Sequence, residues 1–190
     1  MTKKEIRNAA NQKFLKGKDI HQTFEELQEE VVGKSAEDIA KILRFVPTLE
    51  KREKYKIAHT ILILTLGLTV MFKALMGVPI ILENGINWLP IIFIMPIINI
   101  ILVYGVATYQ GQYYNYVAIF TVIGLLRMLK EINNNQSDLY LLVDFGIAGI
   151  LIGLGYYLSS KMNTAYKTVK VKYTSREGKV RVKDKIKFVD

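Results

Sequence analysis

Apolar positions in this chain follow two patterns, and the change comes near residue 56. Beyond it lie four long apolar runs, at 57–78, 88–108, 113–130 and 139–159, each of 18 to 22 residues. About 20 helical residues, rising ~1.5 Å each, cross the ~30 Å hydrocarbon layer of a bilayer. The pattern therefore predicts an all-α membrane protein built on four transmembrane helices. Before residue 56 the apolar residues recur singly, at helical spacing, among charges. Ile6, Ala9, Ala10 and Phe14 mark one stripe, Ile20, Phe24, Leu27 and Val31 a second, and Ile39, Ile42, Leu43 and Val46 a third. Gly17, Gly33 and Pro47 punctuate them, and Ser35 with Asp38 reads as a capping box with Asp in the place of Glu. Residues 1–47 thus form a three-helix module, marginal alone at that size. Residues 48–56 form a helical linker capped by Thr48.

The tail, 160–190, switches to period two. Val169, Val171 and Tyr173 alternate with Lys170 and Lys172. After 175–178, Val180, Val182, Ile186 and Phe188 alternate with Lys179, Arg181, Lys183, Lys185 and Lys187. This predicts a short C-terminal β-hairpin with one apolar and one basic face. An isolated hairpin is unstable, so the apolar face needs a partner, for which the acidic second helix is a candidate. The basic residues suit the anionic cytoplasmic leaflet. A solvated tail that only enforces topology is the alternative.

Charge sets the expected orientation. Residues 1–56 carry 13 Lys and Arg and residues 160–190 carry 10, which leaves only Lys73, Arg127 and Lys130 between them. By the positive-inside rule both ends stay cytoplasmic, which an even number of spans allows. Tyr55, Tyr109, Tyr113, Tyr114, Tyr156 and Tyr157 fall near the expected cytoplasmic ends as interfacial anchors, and Trp88 and Tyr140 near the outer ones. The chain has no cysteine, so disulfides and thiolate chemistry are excluded. The polar start lacks the apolar core of a secretory signal, so the first span is expected to serve as its own insertion signal.

Ionisable residues inside apolar spans are functional candidates by default. Lys73, Arg127 and Asp144 all fall four to six residues from the expected outer ends of their spans. They are expected to share one depth and form an intramembrane ion pair or ion site, unless Lys73 and Arg127 snorkel outward or Arg127 pairs with Glu131. Pro96 is expected to kink the second span, with Asn99 one turn further in as a polar group near the midplane. Thr69, Lys73 and Gly77 share a face of the first span. In the fourth, Asp144, Ala148 and Gly155 fall on one side and Gly146, Gly149 and Gly153 on the other, the last two forming a GxxxG pair expected to pack within the bundle.

No phosphate-binding loop, HExxH helix, nucleophile elbow or dinucleotide fingerprint occurs, so no enzymatic activity, cofactor or metal is implied. A helix-turn-helix reading of the head fails on charge: residues 18–46 hold seven acidic and four basic residues, a surface that repels phosphates and makes nucleic acid an unlikely partner. Two functions remain open. One is a membrane-anchored interaction or assembly module with a protein partner or as a homo-oligomer; the other is a small oligomeric transporter or channel using the outer-leaflet charges and the Pro96 and Asn99 region. The layout of a Lys/Glu-rich head from Gly17-Lys18-Asp19 to Pro47-Thr48, a Lys-rich linker, four spans and a basic alternating tail resembles small bacterial multi-pass membrane proteins, including ones typical of Bacteroidota. That resemblance implies a bacterial inner-membrane location and no particular activity.

Overall fold

The computed structural model describes the backbone of residues 1–94, 96–131, 138–174 and 180–189, and side chains other than those of 130–141 and 172–184. The chain is mostly helical and divides into two compact units, Met1–Lys54 with Lys161–Asp190, and Tyr55–Ser160.

In the first unit, helix α1 (Lys3–Leu15) starts at a reciprocal capping box. The Glu5 backbone N–H donates to the Thr2 hydroxyl, while the Glu5 carboxylate accepts from the Thr2 N–H. Helix α2 (Ile20–Glu30) repeats the device with Asp19 and Gln22. Helix α3 (Ala36–Leu43) departs from the expected box. Ser35 accepts from the Asp38 N–H, but the carboxylate of Asp38, one methylene shorter than Glu, accepts from the Ser35 hydroxyl at 2.8 Å instead of from the cap N–H. Gly17 and Gly33 adopt φ of +81° and +86° between these helices, a conformation that favours glycine. Helix α4 (Leu49–Lys54) follows and ends before Tyr55.

The three stripes bury one another as their spacing requires: Ile6, Phe14, Leu27, Ile39 and Leu43 are all but inaccessible. The core also takes in the far end of the chain. Strands β1 (Ala165–Thr174) and β2 (Val180–Val189) form an antiparallel hairpin, and Ile186 and Phe188 of β2 are buried in the helical core with Tyr166 of β1 against it. The aromatic ring of Phe188 meets Phe24 edge to face at 5.3 Å and His21 at 5.8 Å, both on α2. The acidic helix is thus the hairpin's partner through its apolar side, while its glutamates pair with α1 and the turn after it: Lys13 lies 2.5 Å from Glu26 and 2.7 Å from Glu30, and Lys18 also meets Glu26.

The register corrects the expectation of one apolar and one basic face. Tyr166 pairs with Phe188 and Thr168 with Ile186, but Val169 pairs with Lys185 and Val171 with Lys183. Directly paired residues share a face, so the valines of β1 lie opposite Ile186 and Phe188 rather than beside them. Val169 and Val171 are accordingly exposed. Lys170 falls on the face that carries Ile186, Lys185 and Lys187 on the other. Each strand alternates as read; what periodicity could not supply was the offset between them. Lys179 and the expected turn at 175–178 lie outside the described residues, as do the side chains of Lys172, Arg181 and Lys183.

The second unit is led by helix α5 (Lys56–Asn84), which runs six residues past the expected end of the first span and carries Pro79 inside it. The apolar Ile80–Leu82 stretch continues the helix, and it closes where the Gly85 N–H, at φ +89°, donates to the Ile81 carbonyl at 2.8 Å. The expected second span is not one kinked helix but several pieces. These are a 3-10 turn (Ile86–Trp88), helix α6 (Ile91–Ile94) and helix α7 (Ile97–Ala107). Pro96 occupies the position before α7, where its missing N–H costs no helical bond. Helices α8 (Gly111–Glu131) and α9 (Asp138–Met162) complete the unit.

Three stretches among the described residues are long and apolar enough to cross a membrane, Lys56–Asn84, Ile86–Ala107 and Leu142–Met162. Helix α8 is not one of them. It has 21 residues, but Gln112, Tyr113, Tyr114, Asn115 and Tyr116 occupy its first turns and Arg127 its last third.

Candidate functional site

The principal polar constellation of the second unit joins α5 to α7. Helical spacing sets Thr69 and Lys73 on one face of α5, one turn apart, and the helix that restarts after Pro96 brings Asn99 against them. The Lys73 ammonium donates to Asn99 Oδ1 at 2.9 Å. The Asn99 amide donates to Thr69 Oγ1 at 2.9 Å, and that hydroxyl donates to the Leu66 carbonyl at 2.7 Å. A cation is thereby tied through an amide and a hydroxyl to a helix backbone. Asn99 is half-buried, whereas Lys73 keeps an exposed side chain with ammonium protons to spare. Close beneath, the Gly77 backbone allows α6 to approach: a methyl group there would lie 3.3 Å from Ile92 Cγ1 and 3.4 Å from Ile92 Cα.

Lys73, Arg127 and Asp144 lie on three different helices, α5, α8 and α9, at different distances from the helix ends. Because α5 ends at Asn84, Lys73 lies eleven residues from that end. Arg127 lies four residues from the end of α8 and Asp144 six from the start of α9. Along helices rising ~1.5 Å per residue, those offsets are roughly 16 Å, 6 Å and 9 Å. The difference at Lys73 arises because α5 runs on past Pro79 to Asn84. Among the described residues no ion pair joins Lys73 to Asp144; Lys73 bonds Asn99. Asp144 is half-buried on the stripe of α9 that continues through Ala148, Leu151, Gly155 and Leu158.

That stripe, and not the GxxxG pair, carries the contact within the unit. A methyl group at Gly155 would lie 2.9 Å from the Tyr114 carbonyl oxygen and 3.2 Å from Ala118 Cβ on α8. At Gly146, Gly149 and Gly153 nothing stands within 4 Å of such a methyl. The small residues that sequence spacing put on two faces do divide so, but the face expected to pack is the open one.

A second cluster went unnoticed in the sequence. His59 on α5 is buried at 3% exposure, its ring stacked 4.2 Å from Tyr109 and its Nδ1 3.0 Å from the hydroxyl of the fully buried Tyr114. Tyr109 holds φ at +53°, in the left-handed region, and closes α7 with its N–H on the Val106 carbonyl. Such a conformation costs a residue with a Cβ about 1–2 kcal/mol, which stacking on His59 offsets. Tyr114 is therefore a packing residue and Tyr109 half-buried against His59, while Tyr156 and Tyr157 remain exposed. Tyrosine next to a helix end resembles an anchor in sequence, and glycine or asparagine is the usual sign of a left-handed cap. Nothing in the sequence marked this one.

In the first unit the junction between α9 and β1 is fixed by Thr164, which is buried. Its N–H donates to the Arg44 carbonyl at 3.0 Å and its hydroxyl accepts from Lys51 Nζ at 2.9 Å. Among the described residues no group of three or more acidic or imidazole side chains is placed to hold a metal ion.

These features define a largely helical chain with three membrane-length apolar stretches and a C-terminal hairpin folded against its own N-terminal helices. Comparison with models of known families, with curated proteins and with solved structures found no match.

Proposed function

We propose that this chain is a four-span protein of a bacterial inner membrane, with both ends cytoplasmic, acting as a membrane-anchored interaction or assembly module whose working part is the folded head made by those ends. One observation carries the reading: Phe188 and Ile186 lie in the same core as α1, α2 and α3. Two ends that share a core sit on the same side of a membrane, so the number of crossings is even. Three stretches already meet the requirement for crossing. Helix α8, whose 21 residues cover about 31 Å, supplies the fourth. The excess of Lys and Arg in the flanks assigns that side to the cytoplasm.

Single cysteines test the topology without background, since the chain has none of its own. Lys4→Cys and Lys187→Cys are expected to react with an impermeant maleimide only after permeabilisation, and Asn87→Cys and Asn134→Cys in intact cells. Asn134→Cys protected in intact cells would remove α8 as a span. The interaction reading is tested by purification in mild detergent, where a stoichiometric protein partner is expected.

A second reading, transport or ion conduction, is favoured by the Lys73, Asn99 and Thr69 chain beside a helix interrupted at Pro96, since irregular backbone and charge at membrane depth commonly mark an ion path. Ion flux into proteoliposomes that is lost in Lys73→Met would establish it over the anchor.

A further inference from the structure

We infer that the outward face of the C-terminal hairpin is a docking surface for an anionic lipid leaflet, an inference that rests on the proposed cytoplasmic, membrane-anchored head. The register divides the hairpin into two faces. One carries Ile186 and Phe188 into the helical core. The other presents Lys167, Val169 and Val171 from β1 beside Lys185, Lys187 and Val189 from β2, and all six are exposed. A sheet face turned to water is normally polar. This one sets exposed valines, at 40–44% accessibility, among lysines, with no acidic residue among its described side chains.

Lysine on an edge strand also discourages sheets from pairing, but that role requires no exposed valines. Branched aliphatic groups among ammonium groups match the boundary of a bilayer instead: the lysine stems reach outward to phosphates while the valines enter the headgroup layer. Chain length keeps such a surface within reach. Only Asn163 and Thr164 separate the end of α9 from the start of β1, at most roughly 11 Å of chain. Thr164 is held to Arg44 and Lys51, so this short connection is fixed to the head and does not dangle. The lysines of this face complement anionic headgroups in charge, and the short connection tethers the hairpin to a membrane-length helix.

The test places an environment-sensitive fluorophore on Val171→Cys in the full chain, reconstituted in nanodiscs of phosphatidylcholine with or without phosphatidylglycerol. Blue-shifted emission, with quenching by bilayer-embedded quenchers, is expected only with phosphatidylglycerol. It should vanish in ~1 M salt, where the Debye length falls to about 3 Å, and in the Lys167→Glu, Lys185→Glu, Lys187→Glu variant, whose changes lie on the exposed face. A probe that stays in water at low salt in anionic discs overturns the inference while leaving the anchored head intact. Burial that is independent of lipid charge and rises with protein concentration overturns it in favour of a second copy. Protection by added polyuridylate and not by anionic lipid overturns it in favour of RNA. Labelling of Val171→Cys from outside intact cells would instead overturn the topology on which the inference stands.

Discussion

Phe24 and Phe188, from opposite ends of the chain, meet edge to face with ring centroids 5.3 Å apart. That contact closes the small helical core and makes the tail a structural part of the head. Truncating a buried aromatic ring typically costs 3–5 kcal/mol, and a core of this size has little stability in reserve. Phe188→Ala is therefore expected to open the whole head. Limited proteolysis in detergent should show cleavage within residues 1–54 as well as in the tail, whereas cleavage of the tail alone would mean that the three helices hold without it.

Asn99 serves two partners at once, accepting from Lys73 and donating to Thr69. Asn99→Leu removes the acceptor of a charge-assisted hydrogen bond, at a cost of roughly 1.5–3 kcal/mol. If the bridge is the cause, Asn99→Leu combined with Lys73→Met should recover most of the loss, because removing both polar partners restores a consistent apolar contact. Thermal unfolding of the two single variants and the double variant in detergent measures the coupling. Strictly additive losses would show that the Lys73 and Asn99 bond contributes nothing of its own.

The sequence made the helical stripes and apolar runs legible because burial imposes its period directly on residue type. It left three things hidden, each set by partners far along the chain. Val169 and Val171 alternate as well as Ile186 and Phe188 do, and only the offset between strands decides which set is covered. Gly149 and Gly153 have the spacing of a packing motif, yet Gly155 meets the neighbouring helix. His59 stands near the start of an apolar run, and nothing local announces two tyrosines arriving from another helix and its approach loop.

The glycine assignments can be separated by single methyl groups. Gly155→Ala drives a Cβ to 2.9 Å from a backbone oxygen that cannot turn away. The packing of α9 on α8 must then shift, at a cost of about 1–3 kcal/mol. Gly149→Ala and Gly153→Ala place the same atom in open space and, by helix propensity, are neutral or slightly stabilising. Melting temperatures in detergent should therefore fall for Gly155→Ala and hold for the other two. A fall at Gly149→Ala would locate an interface with a further copy on the open side.

The salt links between α1 and α2 give the head a pH dependence of definite sign. The Lys13 hydrogen bond, then that from Lys18, holds the Glu26 carboxyl below its ordinary value, and the Ser35 hydroxyl does the same for Asp38. A group with a lower pKa folded than unfolded contributes stability above its unfolded value and loses it as pH falls through the folded one. Lys13 is shifted the other way, raised by its bonds to Glu26 and Glu30, so its contribution is complete below the ordinary lysine value and is lost as pH rises through the raised one. The head is thus expected to be most stable across the neutral range and to weaken as pH drops below about 4. Glu26→Gln removes the charge that both lysines meet and one of the two acceptor oxygens, so it should lower the melting temperature of the head at neutral pH and flatten the decline in acid. If the acid limb of the curve keeps its slope in that variant, the carboxylate of Glu26 does not supply it, and Asp38→Asn becomes the informative comparison.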